Sequence, residues 1–210
     1  MIYLADDYVN KYQDALSYIL SRAVYEKYSF SYIEKVISYS SVFSELEKSN
    51  VTQIAFSSYE KNYSILFPDS SNNDFVFNPY DMFSWIGSSY MKLFLSLEIT
   101  FELLFIILPL PEMMNLYSLY HEMDYTQLLN HVRELVPFSP LDTIMKNRNI
   151  SSNKLSELSG VSCPTIKALR YGRRDINKFE AGNLFKVAIH LNVKAESLLT
   201  SIYLIKECID

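Results

Sequence analysis

Four cations stand close together at Lys167, Arg170, Arg173 and Arg174. Side chains of this kind bind phosphate and release condensed counterions, so any affinity for nucleic acid that they supply falls with salt. The other reading of the arginines is a solvated basic loop. Residues that could run a reaction are less well arranged. His121-Glu122-Met123-Asp124-Tyr125 begins like a zinc-protease helix, but Tyr125 stands where the second His must be. His131 and His190 have no Cys or carboxylate cluster at ligand spacing. The chain has no glycine-rich phosphate loop and no GxSxG. Cys163 would sit at a helix N-terminus, where a thiol can be activated, yet packing explains it as well. The expectation is no enzyme, no cofactor and no metal.

The elements that position the cations begin at Ser151. Residues 152–159 read as one short helix, with Gly160 just past its end, where a left-handed backbone suits a residue without Cβ. Val161 is the apolar plug of a tight turn. Ser162 can cap a second helix, and Pro164 falls in its first turn, where a missing N–H does no harm. Gly172 follows that helix. The chain has only four glycines, so two at these ends is a specific placement.

This stretch resembles the Cro/repressor-type (Xre-like) helix-turn-helix. The resemblance runs over about residues 141–199. It takes in a leading helix at residues 141–146, the core spacing Leu155, Leu158, Val161, Ile166 and Leu169, the Tyr171-Gly172-Arg173-Arg174 loop, and a helix through Phe179, Leu184, Val187 and Leu191. The resemblance implies a DNA reader whose second helix lies in the major groove. Its base-facing positions would be Ser162, Cys163, Pro164, Thr165, Lys167 and Ala168. Ser152 would offer its hydroxyl or backbone N–H to a phosphate, and Lys167, Arg170, Arg173 and Arg174 would supply cationic contacts. One departure stands out. The family usually has Gln, Arg or Asn where this chain has Cys163, Pro164 and Ala168, so bidentate readout of adenine or guanine is lost there. Thymine methyls at Thr165 and Ala168 and a guanine edge at Lys167 remain, which implies modest direct readout.

Charge divides along the chain. Residues 1–140 hold 8 Lys and Arg against 17 Asp and Glu, whereas residues 141–200 hold 10 against 5. An acidic body joined to a basic module fits a DNA reader with a separate protein-binding part. Two cysteines, Cys163 and Cys208, form no framework, and the first seven residues lack the pattern of a signal peptide; the expectation is a cytoplasmic protein. The apolar run at residues 103–108 is too short to span a membrane, which needs about 20 apolar residues.

Helical spacing recurs through the body. Residues 6–24 align Tyr8, Tyr12, Ala15, Leu16, Ile19 and Leu20. A helix opening at Ser31, with Glu34 as a capping-box partner, runs through Ile33, Val36, Ile37, Val42, Phe43 and Leu46. Residues 51–56 are ambiguous between a strand and a turn, ahead of a short helix through Tyr59, Tyr63, Leu66 and Phe67. Asn78-Pro79 is expected to open the helix that carries Met82 to Leu97, residues 100–108 form another, and Asp124 with Gln127 opens a third through Leu128 and Val132. The organisation expected is a helical N-terminal segment (1–67), a linker loop (68–77), a helical middle segment packing with the first (78–138), and the helix-turn-helix domain (139–210). The fold class is all-α, a helical body followed by a five-helix module.

More loosely, Trp85-Ile86-Gly87 with residues 108–113 and 119–124 is similar to small helical proteins of bacterial toxin–antitoxin operons, as is the stretch 16–67. That similarity implies an antitoxin that autoregulates its operon. Seventeen tyrosines, eight of them in the first forty residues, suggest a protein-binding surface or, equally, ordinary half-buried rings. The function expected is a DNA-binding transcriptional regulator, acting as a homodimer on double-stranded operator DNA, whose acidic body neutralises a cognate toxin. A protein-interaction adaptor with a vestigial helix-turn-helix, or a repressor responsive to a small ligand near residues 93–120, stays open.

Overall fold

The computed structural model describes residues 6–43, 57–70, 74–201, 204 and 205. Every regular element among them is helical. Eleven α-helices are described: α1 (Asp6–Tyr25), α2 (Phe30–Tyr39), α3 (Tyr59–Leu66), α4 (Met82–Leu97), α5 (Phe101–Ile107), α6 (Leu110–Tyr120), α7 (Tyr125–Glu134), α8 (Pro140–Asn147), α9 (Ser152–Ser159), α10 (Cys163–Arg170) and α11 (Ala181–Leu191). Two short 3-10 turns, Ile176–Lys178 and Ala195–Leu198, flank α11. Residues 51–56, left open between a strand and a turn, and the side chains of Tyr8, Leu46 and Cys208 lie outside what is described.

The body is organised on the pairing of α1 with α4. Tyr12, Ala15, Leu16, Ile19 and Leu20 form the inner stripe of α1, as the spacing predicts, and Ile86, Tyr90, Leu93, Phe94 and Leu97 form that of α4. Gly87 lets the two backbones touch. A Cβ built on it would lie 2.5 Å from the Cα and backbone N of Ser17. The Ser17 hydroxyl is 2.9 Å from the Ser84 carbonyl, and Ser88 donates to the Gln13 side chain at 3.0 Å.

Several local expectations change. The second helix begins at Phe30 with Ser29 as its cap residue and breaks at Ser40, so it does not run on through Val42 and Phe43. Those two side chains are nevertheless buried. Glu34 makes no capping box. Its carboxylate instead accepts the Leu110 backbone N–H at 2.6 Å and so caps the start of α6, 76 positions away. Asn78-Pro79 does not open α4. Asp81 does, accepting the Ser84 N–H at 2.8 Å, while Asn78 makes a local turn to the Tyr80 N–H. The cap at Asp124 stands, but its carboxylate takes the Thr126 N–H. The expected linker is fastened to α1. Ser70 donates to Glu26 at 2.7 Å within an Arg22–Glu26 ion pair, and the rings of Phe75 and Phe77 each lie 5.5 Å from that of Tyr18.

α5 is buried around almost its whole circumference, with Phe101, Leu103, Leu104, Phe105 and Ile107 packed inside. It lies between α2 on one side and α8 on the other. The apolar core is therefore continuous from Tyr12 to Leu204, across the boundary expected at residue 139. No described helix is long and apolar enough by itself to cross a membrane; α5 and α6 reach that composition only together and are bent by 69°.

Polar groups fasten the same junction. Glu102, buried on α5, accepts from the Lys194 N–H at 2.7 Å, from the Ser197 hydroxyl at 2.7 Å and from the Tyr39 hydroxyl. Ser197 spends its proton on Glu102, so Thr100, 2.7 Å away, donates to Ser197 while capping α5 at the Leu103 N–H. A buried polar set satisfied in this way costs little until one member is removed. Glu102→Gln replaces an acceptor oxygen with an amide donor facing other donors, and is expected to lower unfolding stability by about 1–2 kcal/mol in urea titration.

Candidate nucleic-acid interface

α8 starts the C-terminal part. Ser139 caps it by accepting the Asp142 N–H at 3.1 Å, with Pro140 in the first turn. Between residues 140 and 198 the helical elements are four α-helices and two 3-10 turns.

The central pair is built by local chemistry. Ser151 accepts the Lys154 N–H at 3.2 Å and opens α9. Gly160 ends it at φ +71°, in the left-handed region where a side chain is strained. Ser159 donates to the Leu155 carbonyl and accepts from the Val161 N–H, which holds the buried Val161 in the turn. Ser162 then caps α10 through the Thr165 N–H at 3.4 Å. Leu155, Val161, Ile166 and Leu169 are buried, whereas Leu158, expected in the core, is 41% exposed. Phe185 and Ile189 of α11 are exposed as well.

The ten residues expected to face DNA separate into two groups. Ser162, Pro164, Lys167, Arg173 and Arg174 are exposed, and Cys163, Thr165 and Ala168 are half-buried. Pro164 and Lys167 are three apart and share one helical face. The Cys163 thiol donates to the Asn153 side-chain oxygen at 2.9 Å, and the Thr165 hydroxyl pairs with that of Ser162 at 2.8 Å. The loop after α10 folds back on it. The Ala168 carbonyl accepts from the N–H groups of Arg173 and Arg174 at 2.9 and 3.2 Å, and the two guanidinium groups lie near the rings of Tyr171 and Phe179, 6.0 and 5.5 Å from their centroids.

Ser152 and Arg170 are turned inward. Ser152 is buried, and its hydroxyl faces Arg170 at 3.5 Å, so only its backbone remains at the start of α9. Arg170 donates to Asp142 at 2.6 Å, and Lys146 reaches the other oxygen of that carboxylate at 2.7 Å. Burial alone would raise the Asp142 carboxyl, but hydrogen bonds from Lys146 and Arg170 outweigh it and hold the group below the usual carboxylate range. Arg170, expected to touch phosphate, is here committed to Asp142 within the fold. The pattern Ser139-x-x-Asp142 announces the cap; nothing local announces the Arg170 pairing. Asn153, exposed beside Cys163, is a polar side chain that helical spacing alone does not single out.

Elsewhere the histidines stay peripheral. His121 hydrogen-bonds the Tyr117 carbonyl at 2.8 Å and stacks on that ring, and His131 lies 5.6 Å from the Tyr120 ring. No cluster of three or more His, Cys, Asp or Glu suited to a metal occurs among the described residues. Tyrosines divide between both readings: Tyr12, Tyr18, Tyr63 and Tyr90 are buried, and Tyr25, Tyr32 and Tyr39 are about half exposed.

No family model, no curated protein and no solved structure matches the chain.

Proposed function

We propose that this protein is a DNA-binding transcriptional regulator whose residues 139–210 act as a Cro/repressor-type helix-turn-helix. α10 enters the major groove, with Lys167 and the Ser162–Thr165 turn toward base edges and Arg173 and Arg174 toward phosphates. Two chains act together on a near-palindromic operator, as one reading helix per chain requires. Leu158, Phe185 and Ile189 offer exposed apolar area for pairing. The acidic body holds a partner protein, a toxin of the same operon.

The observation that carries the reading is the capped α9–α10 pair, joined by three residues and followed by a loop whose exposed arginines are folded back against α10. Electrostatics agree, since residues 141–200 carry twice as many cations as anions in an acidic chain. The test is fluorescence anisotropy with the DNA upstream of the gene, at several salt concentrations. In Arg173→Ala and in Arg174→Ala, the slope of log affinity against log salt is expected to shrink by about 0.9 for each phosphate no longer neutralised. Lys167→Ala lowers affinity about tenfold. An unchanged affinity and slope in Lys167→Ala would place α10 away from DNA, and no binding at low salt would favour the adaptor reading. Co-purification of a neighbouring gene product on the body tests the second half of the proposal.

A further inference from the structure

The body and the C-terminal part leave a cleft of about 520 Å³ between them. This is the size range of small-molecule sites. α2 supplies Glu34, Lys35 and Tyr39, the α5–α6 corner supplies Phe105 and Pro109, and the end of α8 supplies Arg148. The cleft is lined by charge of both signs and by the apolar side chains of Phe105, Ile106 and Pro109.

The commitments of those charges decide what can bind. Glu102 also reaches the cleft but already serves three donors, so it has little left to offer. Glu34 gives one oxygen to the Leu110 N–H and keeps the other. Burial pushes its carboxyl up, and the Leu110 hydrogen bond offsets only part of that. A desolvated carboxylate in this condition gains from a cation brought beside it. Arg148 makes a single long hydrogen bond, 3.5 Å, to the Asn192 carbonyl, and Lys35 is exposed on α2 next to Glu34. A guanidinium offers a carboxylate two parallel donors.

We propose that this cleft is a binding site for a small zwitterion of dipeptide size, its ammonium on Glu34 and its carboxylate on Arg148 and Lys35. Apolar side chains of the ligand lie on Phe105, Pro109 and the Tyr39 ring. Glu34 and Arg148 come from opposite sides of the junction, so a ligand held by both ties the body to the C-terminal part. Binding of this kind stabilises the folded chain whether or not the protein reads DNA.

Isothermal calorimetry on the full chain tests the site, with alanyl-leucine, leucyl-leucine and leucyl-phenylalanine as probes. At least one free dipeptide is expected to bind and, at about 100-fold over its Kd, to raise Tm by about 5–11 °C. N-acetylation or C-amidation of that dipeptide should weaken it tenfold or more, as should Glu34→Gln and Arg148→Ala. Gln keeps the acceptor for the Leu110 N–H, and Arg148 is exposed, so both variants should fold; circular dichroism checks this. No binding of any probe at millimolar concentration overturns the proposal. Equal binding of the blocked peptides, or undiminished binding by both folded variants, overturns it too.

Discussion

Gly87→Ala is expected to destabilise the protein by about 2–3 kcal/mol, although alanine is the better helix former by about 1 kcal/mol. The added methyl would sit 2.5 Å from backbone atoms of Ser17. A side chain in the way could rotate, but the backbone of a 20-residue helix cannot. α1 and α4 must move apart by roughly an ångström, which loosens the buried stripe on both and the Ser17–Ser84 hydrogen bond. The expected fall in Tm is about 4–12 °C for a chain of this length. Gly182→Ala is the matched control. Nothing lies within 4 Å of its Cβ position at the start of α11, so alanine there should be neutral or stabilise by up to about 1 kcal/mol. Urea unfolding of both variants reads the difference. Equal behaviour would show that α1 and α4 pack more loosely than their close backbone approach requires.

Asp142→Asn is expected to cost about 3 kcal/mol at neutral pH. The carboxylate is 1% exposed and Arg170 18% exposed, so removing the anion leaves a largely buried guanidinium without its counter-charge. Lys146 also holds the carboxyl down, but it is more than half exposed and returns to water when the anion is lost, so the stranded Arg170 dominates the cost. The pH dependence follows from the depressed carboxyl. Asp142 contributes its full stabilisation above the unfolded-state value of about 3.9 and loses it as pH falls through its lower folded-state value. The gap between wild type and Asp142→Asn should therefore be wide at pH 7, start to close only below about pH 4, and close fully only below the folded-state value. A gap that stays constant down to pH 3 would refute the pairing. A stable variant at pH 7 would instead return Arg170 to the side chains available for phosphate.

These two sites mark where reading the chain alone stops. The frame around Ser151–Arg174 depends on residues within four positions of one another: a serine before each helix, a glycine after the first, an apolar plug between. Such rules act through backbone groups that are close in the chain, so they were legible, as were the inner stripes of α1 and α4. Starts of helices were less so where two capping residues competed. At Asn78 and Asp81 either could cap, and the later one does, because Asn78 is drawn into its own turn and its carbonyl takes the Ser84 hydroxyl.

What the amino-acid sequence by itself determined is the all-helical class, the short-range caps, and the division into an acidic stretch and a basic one. Tertiary structure alone decided which charged groups are available. Glu34 has the form of a capping-box residue for its own helix, yet serves Leu110. Arg170 has the form of a surface cation, yet is held by Asp142, 28 positions earlier. Glu102 interrupts an apolar run and joins two parts of the chain through Lys194, 92 positions later. The physical reason is the same in each case. A charge taken from water must find a partner, and which partner is in reach depends on how helices pack rather than on what stands nearby in the chain.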